Sequence, residues 1–180
     1  MAIVALGSKP SDALSASPIA YAKGAPIFLA TANGDLTSDT LEAIKAGGFK
    51  TVLVMGSENS VSAAAEKALE GVAKTVRFDG ADRYETSQLT AEWALENGLV
   101  CKNPVLTIGW DGKFTDALVA SSLGGKNESP LLLINEGEAM NLQIEKVLEP
   151  NKADIEKAYV IGDEKSVSKP LYEIIEKALA

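Results

Sequence analysis

Histidine is absent from the 180 residues, and cysteine occurs once, at Cys101. The first absence removes Ser-His-Asp and Cys-His nucleophilic machinery and every histidine-ligated metal site. The second removes any internal disulfide. A lone cysteine just ahead of an apolar run reads as a small packing residue. Positive charge is scarce as well: 17 Lys and Arg face 25 Asp and Glu, for a formal net charge of −8. Nucleic acid is disfavoured on that ground, because phosphate-backbone binding needs a basic footprint. An anionic ligand held at one locally basic site is still compatible with the balance. No apolar run is long enough for a membrane span, and no signal-peptide pattern opens the sequence. What is present is ordinary globular composition, 46% hydrophobic and 23% charged, enough to bury the core of one medium or two small domains.

The chain also repeats itself, and a repeat has to be settled before a fold is assigned. SDALSASPIAYAKGAPIFLA (11–30) is echoed by TDALVASSLGGKNESPLLLI (115–134). Asp12 and Asp116 lie 104 residues apart, as do Pro26 and Pro130, while Gly7 and Gly109 lie 102 apart. Gly56 in VLVMGSENSVS and Gly162 in AYVIGDEKSVS lie 106 apart, and Val61-Ser62 matches Val167-Ser168 at the same offset. Offsets that change only between elements are those of a duplication with loop insertions. The block VRFDGADRYET (76–86) has no counterpart before residue 1. The expected organisation is therefore a partial unit over 1–75, lacking its first strand and helix, followed by a complete unit over 76–180. On this reading the chain is a piece of a longer repeat array, with Met1 an added start, and the lack of a signal peptide says nothing about export. The incomplete unit is expected to expose apolar surface and so to favour a homo-oligomer or a partner segment.

Short aliphatic runs bounded by Gly or Pro alternate with helical patterns. Strands are predicted at Ala2–Leu6, Pro26–Ala30, Lys50–Met55, Thr75–Phe78, Pro104–Ile108, Pro130–Ile134 and Lys157–Ile161. Continuous apolar runs of this length suit parallel strands covered on both faces. Thr37 or Ser38, Ser62 and Ser168 mark helix starts, with Pro170 tolerated in a first turn and Gly47 and Gly98 as stops. Leu89, Trp93 and Leu95 are expected near one face of RYETSQLTAEWALE, and Pro18 is expected to kink or restart its helix. The fold class is α/β: tandem modules of parallel sheet covered by helices through right-handed crossovers, with about three to four strands per complete unit.

Two stretches carry candidate chemistry. In the repeated motif a strand ends at Gly7 or Gly109 and a helix begins around Asp12 or Asp116, where a carboxylate suits the free amides and positive dipole of a helix start. The rival reading is a phosphate cradle. Neither copy offers GxGxxG or GxxxxGK[ST] there, and each places a carboxylate where the anion would sit. In VRFDGADRYET, Asp79 and Asp82 read either as an acidic metal pair or as ordinary turn-and-cap chemistry, and no third carboxylate at fixed spacing supports a metal. Arg77 and Arg83 stand out in an acidic chain. Their forks suit carboxylate or phosphate, so they either pair with Asp79, Asp82 or Glu85, tie units together, or meet a ligand.

The succession RFDGADRYETSQLTAEWA, FTDALVASSLGGKNESPLLLI and AYVIGDEKSVS resembles the clostridial type-2 cell wall binding repeat. Residues 76–180 correspond to one entire repeat and 3–75 to the later blocks of another. The resemblance implies tandem Rossmann-like or Toprim-like modules of secreted Gram-positive surface and S-layer proteins, packed against neighbouring repeats. It further implies non-covalent anchoring to an anionic cell-wall polymer outside the cell, with no enzymatic activity, no cofactor and no membrane partner. Arg77, Gly80, Asp82, Arg83, Tyr84 and Thr86 fall in its first block, Asp12 and Asp116 in its second. Ser121-Ser122-Leu123 departs from the small-Pro-aliphatic step that Ser17-Pro18-Ile19 keeps, and Gly56-Ser57 and Gly162-Asp163 replace a Gly-Gly pair. With polymer binding as the leading expectation, Lys9, Lys113, Lys126, Arg77 and Arg83 are the ligand-contact candidates, since only local cations overcome the general repulsion. Crevices beyond the carboxyl ends of parallel strands are the expected place. Two alternatives stand beside it: a structural module that packs against other repeats without touching polymer, and a small-ligand-binding α/β domain.

Overall fold

Each predicted aliphatic run becomes a strand, and all the pairings are parallel. The computed structural model describes residues 1–110 and 114–180. Among them β1 (Ala2–Leu6), β2 (Ile27–Ala30), β3 (Thr51–Met55) and β4 (Lys74–Phe78) form one sheet in the order β2-β1-β3-β4. The strands β5 (Val105–Ile108), β6 (Leu131–Ile134) and β7 (Tyr159–Ile161) form a second in the order β6-β5-β7. The first three strands of each lobe therefore share one topology, and the registers agree: Ile3 faces Leu53 as Val105 faces Tyr159.

Helices cover both faces. In the first lobe α1 (Pro10–Lys23) lies on the face of Ile3, Ala5, Leu53 and Met55, whereas α2 (Ser38–Ala46) and α3 (Ala63–Glu70) cover Ala2, Val4, Val52 and Val54. This strict alternation on strands buried from both sides explains why their sequences read as unbroken apolar runs. In the second lobe α5 (Thr115–Lys126) covers Val105, Leu131 and Leu133, and α6 (Glu138–Gln143) and α7 (Lys169–Leu179) cover Leu106, Ile108, Leu132 and Ile134. Thr37, Ser62 and Ser168 cap α2, α3 and α7 through their side-chain oxygens, as their positions predict. Each of the last two also donates to a carboxylate, Ser62 to Asp35 at 2.7 Å and Ser168 to Glu136 at 2.8 Å.

The lobes meet along α1, α5 and α4 (Arg83–Glu96). Leu14 of α1 belongs to the second lobe's core, with Ala117, Ala120 and Leu131. The helix α4 serves both: Ala94, Leu89 and Trp93 pack on the first sheet, Ala91 and Leu95 on the second. Ser87 at its centre is fully buried because it satisfies the open edge of β6, accepting from Leu133 N–H at 2.9 Å and donating to Leu131 O at 3.3 Å.

At Pro18 and Leu95 the structure departs from the expectation, and elsewhere it adds what the sequence did not show. The repeat boundary expected between 75 and 76 falls inside β4, which pairs with β3 (Val54 opposite Arg77) and completes the first sheet. The first lobe thus has four strands and the second three. Pro18 does not restart α1, which runs continuously over 14 residues; its buried ring packs against Gly124 of α5. Leu95 turns away from Leu89 and Trp93 toward the other core, because α4 lies between two sheets. The segment α6, a following π turn (Ile144–Leu148) and a 3-10 turn (Glu149–Asp154) carry no capping signal: Gly137 precedes α6 with φ +72° and no side-chain cap.

Candidate functional site

The carboxyl ends of β1, β3 and β4 converge on a cleft of about 180 Å³ at the start of α1 and α4. Such ends are where open α/β sheets collect ligands. Lys9, Ser11, Asp12, Gly56, Ser60 and the segment Gly80–Arg83 line it.

One wall is the turn from β1 into α1. The helix starts at Pro10, ahead of Asp12, and no side chain caps it, so its first-turn amides are left to solvent or ligand. Asp12 is therefore not the cap its position suggested. It is 7% exposed and lies in the first turn against the loop after β3. Burial pushes its carboxyl above the ordinary value, opposed by the Ser11 and Ser60 hydroxyls and by the charges of Arg83 and Lys9. Gly56 permits this approach. Its φ is +84°, and a methyl there would stand 2.5 Å from Asp12 Oδ2 and 2.7 Å from Ser60 Oγ. The second lobe repeats the arrangement: Gly162 has φ +142°, and a methyl on it would lie 3.6 Å from Asp116 Oδ2 and 3.2 Å from Ser166 Cβ. An Asp packed on a left-handed glycine beside a serine is thus a feature of the repeat. Ser60 and Ser166 sit in the repeated Ser-Val-Ser, so the offset of 106 was the signal that pointed to them.

The opposite wall is the turn from β4 into α4, and here the acidic residues are spent on capping. Asp82 Oδ1 accepts from Tyr84 N–H at 2.8 Å and Glu85 N–H at 2.9 Å, and Glu85 Oε2 accepts from Ala81 N–H at 2.6 Å. Thr86 Oγ1 accepts from Gly80 N–H at 3.3 Å. A side chain at Gly80 would run into the backbone of Glu85, 2.7 Å away, and of Thr86. Asp79 and Asp82 do not gather a metal set; among the described residues no group of three acidic or thiol ligands does.

The cationic candidates separate. Arg77 is drawn inward, its side chain only 13% exposed. Nη1 donates to Gly56 O at 2.7 Å, Nη2 to Val61 O at 2.9 Å, and Nε to Glu66 at 2.9 Å. Its carboxylate partner is Glu66 of α3, not Asp79, Asp82 or Glu85. Arg83 is half-buried, and its Nη1 donates to Gly109 O at 2.7 Å, linking the cleft to the end of β5 in the second lobe. Tyr84 beside it joins the second lobe's core, and Gln143 Nε2 donates to its carbonyl at 2.9 Å. Lys9 is exposed at the rim. Lys126 is in the last turn of α5, at the opposite end of the sheet from the cleft, contrary to expectation. Lys113 lies outside the described residues. Cys101 is remote and buried, which pushes its thiol up to about 12.

Comparison with known proteins places this geometry. The sequence model of the family described as Cell wall binding domain 2 (CWB2) matches residues 2–66 and 77–172. The N-acetylmuramoyl-L-alanine amidase LytC of Bacillus subtilis (strain 168) is 28% identical over 172 residues, which cover 95% of this chain and 33% of that protein. The amidase enhancer of the same organism is 33% identical over 135 residues, 75% of this chain and 17% of that protein. Among solved structures, Cwp6 from Clostridium difficile superposes with a TM-score of 0.82 at 27% identity, over 98% of this chain and 27% of that one. The chain spans about a third or less of the length of these curated relatives.

Proposed function

Because the chain belongs to the cell wall binding domain 2 family, we propose that it is a non-catalytic module that holds a surface protein to an anionic polymer of the cell wall, outside the cell. The observation that carries this reading is the family match across both lobes. The relatives named for amidase activity are far longer than this chain, and their named activities are assigned to their other parts. The cleft has the character of a binding surface. It offers Lys9, the half-buried Arg83, which also holds Gly109 O, and the uncapped amides of α1. Lys113 stands 104 residues after Lys9, the offset of Asp12 and Asp116, and is proposed as the second lobe's counterpart. Arg77 is assigned to fold integrity, since its donors are engaged inside the first lobe. Lys126, at the far end of α5, is assigned a contact only if the polymer wraps the lobe.

Sedimentation with purified walls tests this directly. Retention on intact walls, loss on walls stripped of secondary polymer, and weakening by Lys9→Ala with unchanged folding are the expected results. Equal retention on stripped and intact walls would refute recognition of the secondary polymer, and no retention on either would leave the packing-module reading, which the inward-drawn Arg77 favours.

A further inference from the structure

We propose that the outer edge of β7 is an acceptor for a parallel strand of the β4 type, aliphatic, bearing an arginine and followed by Asp-Gly, supplied by another repeat unit. The occupied template is in the same molecule. The strands β3 and β7 hold equivalent places in their sheets, yet β3 is covered by β4 whereas β7 ends its sheet. Val52, Leu53, Val54 and Met55 are in consequence fully buried, while Tyr159, Val160 and Ile161 are each half-buried.

Backbone polarity agrees. Tyr159 N–H donates to Pro104 O at 2.9 Å, toward β5, so by strand alternation the groups of Val160 point to the open side. In the first lobe the corresponding side is filled, and Gly56 N–H donates to Phe78 O of β4 at 2.8 Å. Two adjoining cavities of about 340 and 460 Å³ occupy the open place, sharing Val160 and Tyr172 and floored by Val167 and Ile175.

The side-chain lock is also half preserved. Arg77, opposite Val54, anchors β4 on Gly56 O, Val61 O and Glu66. At the repeat offset of 106 these become Gly162, Val167 and Tyr172. The two backbone acceptors are kept in kind. The carboxylate gives way to a 45% exposed tyrosine; Glu164 lines the cavity to supply negative charge, while Lys169, which also lines it, is paired with Glu173 at 3.7 Å. The molecule's own β4 is committed to β3, so the occupant comes from a different unit. Main-chain pairing supplies affinity and the arginine supplies selection, the logic of strand addition at an open edge.

A fluorescein-labelled peptide of residues 74–82 (KTVRFDGAD), titrated with the folded chain by anisotropy, tests the proposal without any wall polymer. It therefore stands or falls apart from the wall reading. Saturable binding is expected, with amide-exchange protection appearing at residues 158–162. The peptide carrying Arg77→Ala should bind at least about tenfold more weakly. Tyr172→Glu in the chain restores the carboxylate of Glu66 at its repeat position and should tighten binding, whereas Tyr172→Lys and the exposed Glu164→Lys should weaken it. Circular dichroism establishes that each variant is folded, and the two charge-reversing positions check one another. No saturation up to about 1 mM, indifference to the arginine and to both positions, or protection confined to β2 or β3 would overturn it.

Discussion

Replacing Arg77 distinguishes a lock from a ligand contact more sharply than any other single change. The wild-type guanidinium binds two backbone carbonyls and one carboxylate while only 13% of its side chain is exposed. In Arg77→Ala, Gly56 O and Val61 O lose a charged donor, and Glu66 is left beside a cavity. Truncating one member of a buried pair costs about 3–5 kcal/mol, and each hydrogen bond to a charged group is worth about 1.5–3 kcal/mol. The Glu66 side chain is 22% exposed and regains some water, which lowers the expected loss to about 2–4 kcal/mol. At about 2–4 °C per kcal/mol for a chain of this length, Tm should fall by about 4–16 °C. Arg77→Lys keeps the charge but not the fork, so it should recover only part of the loss. Thermal denaturation supplies the stability and wall sedimentation, well below Tm, the binding. A variant that melts with the wild type while losing its walls would refute the lock and return Arg77 to the ligand set.

Arg83→Ala removes the bond from α4 to Gly109 O and should cost about 1–3 kcal/mol in urea melts; if wall retention falls as well, Arg83 serves both roles, and no change in either excludes both. Asp12 has its carboxyl pushed above the ordinary value by burial, so the folded state takes up its proton first as pH falls. Its charge therefore costs stability above the raised value, and that cost is relieved as pH drops toward the ordinary carboxyl range. Asp12→Asn should gain on the wild type at neutral pH, with the advantage shrinking in acid; an advantage that grows in acid would be the wrong sign. The Cys101 thiol, raised to about 12, should resist a thiol reagent at pH 8 until the chain is unfolded, and prompt labelling of the native protein would contradict its burial. Wall binding should weaken with added salt, and tandem arrays should bind far more strongly than this chain alone, because exposed single contacts are weak.

The strands were legible because each is buried from both sides, which leaves its mark locally as an unbroken aliphatic run. The capped helices were legible for the same local reason: Thr37, Ser62 and Ser168 act within three residues of themselves. What failed was nonlocal. No residue of β4 says which sheet it joins. Pro18 disfavours an isolated helix, yet α1 continues through it where it packs over Gly124. In the cleft, Gly80, Asp82 and Thr86 lie in one turn: Thr86 Oγ1 accepts from Gly80 N–H, and Asp82 Oδ1 accepts from the next two amides, Tyr84 and Glu85. Glu66 and Ser87 were missed, since a helix surface glutamate and a mid-helix serine look ordinary until a second element arrives. Lys126 was expected in a loop near the strand ends, but α5 extends to it and carries it to the far end.

The boundary between 75 and 76 divides sequence repeats and not units of packing. The repeat in the sequence and the unit of packing are out of phase by one strand and one helix. The connector Lys74–Glu96 enters the first sheet as β4, turns on Gly80 and leaves as α4 against β6. Its strand is held by Arg77 and its helix by Ser87, so the two ends of one short segment are fixed in different lobes. Pulling the lobes apart must unpair β4 or uncover β6. Covalent continuity and noncovalent closure thus run through the same twenty-odd residues. The junction between these two lobes is tied by the very block that opens the second repeat in the sequence.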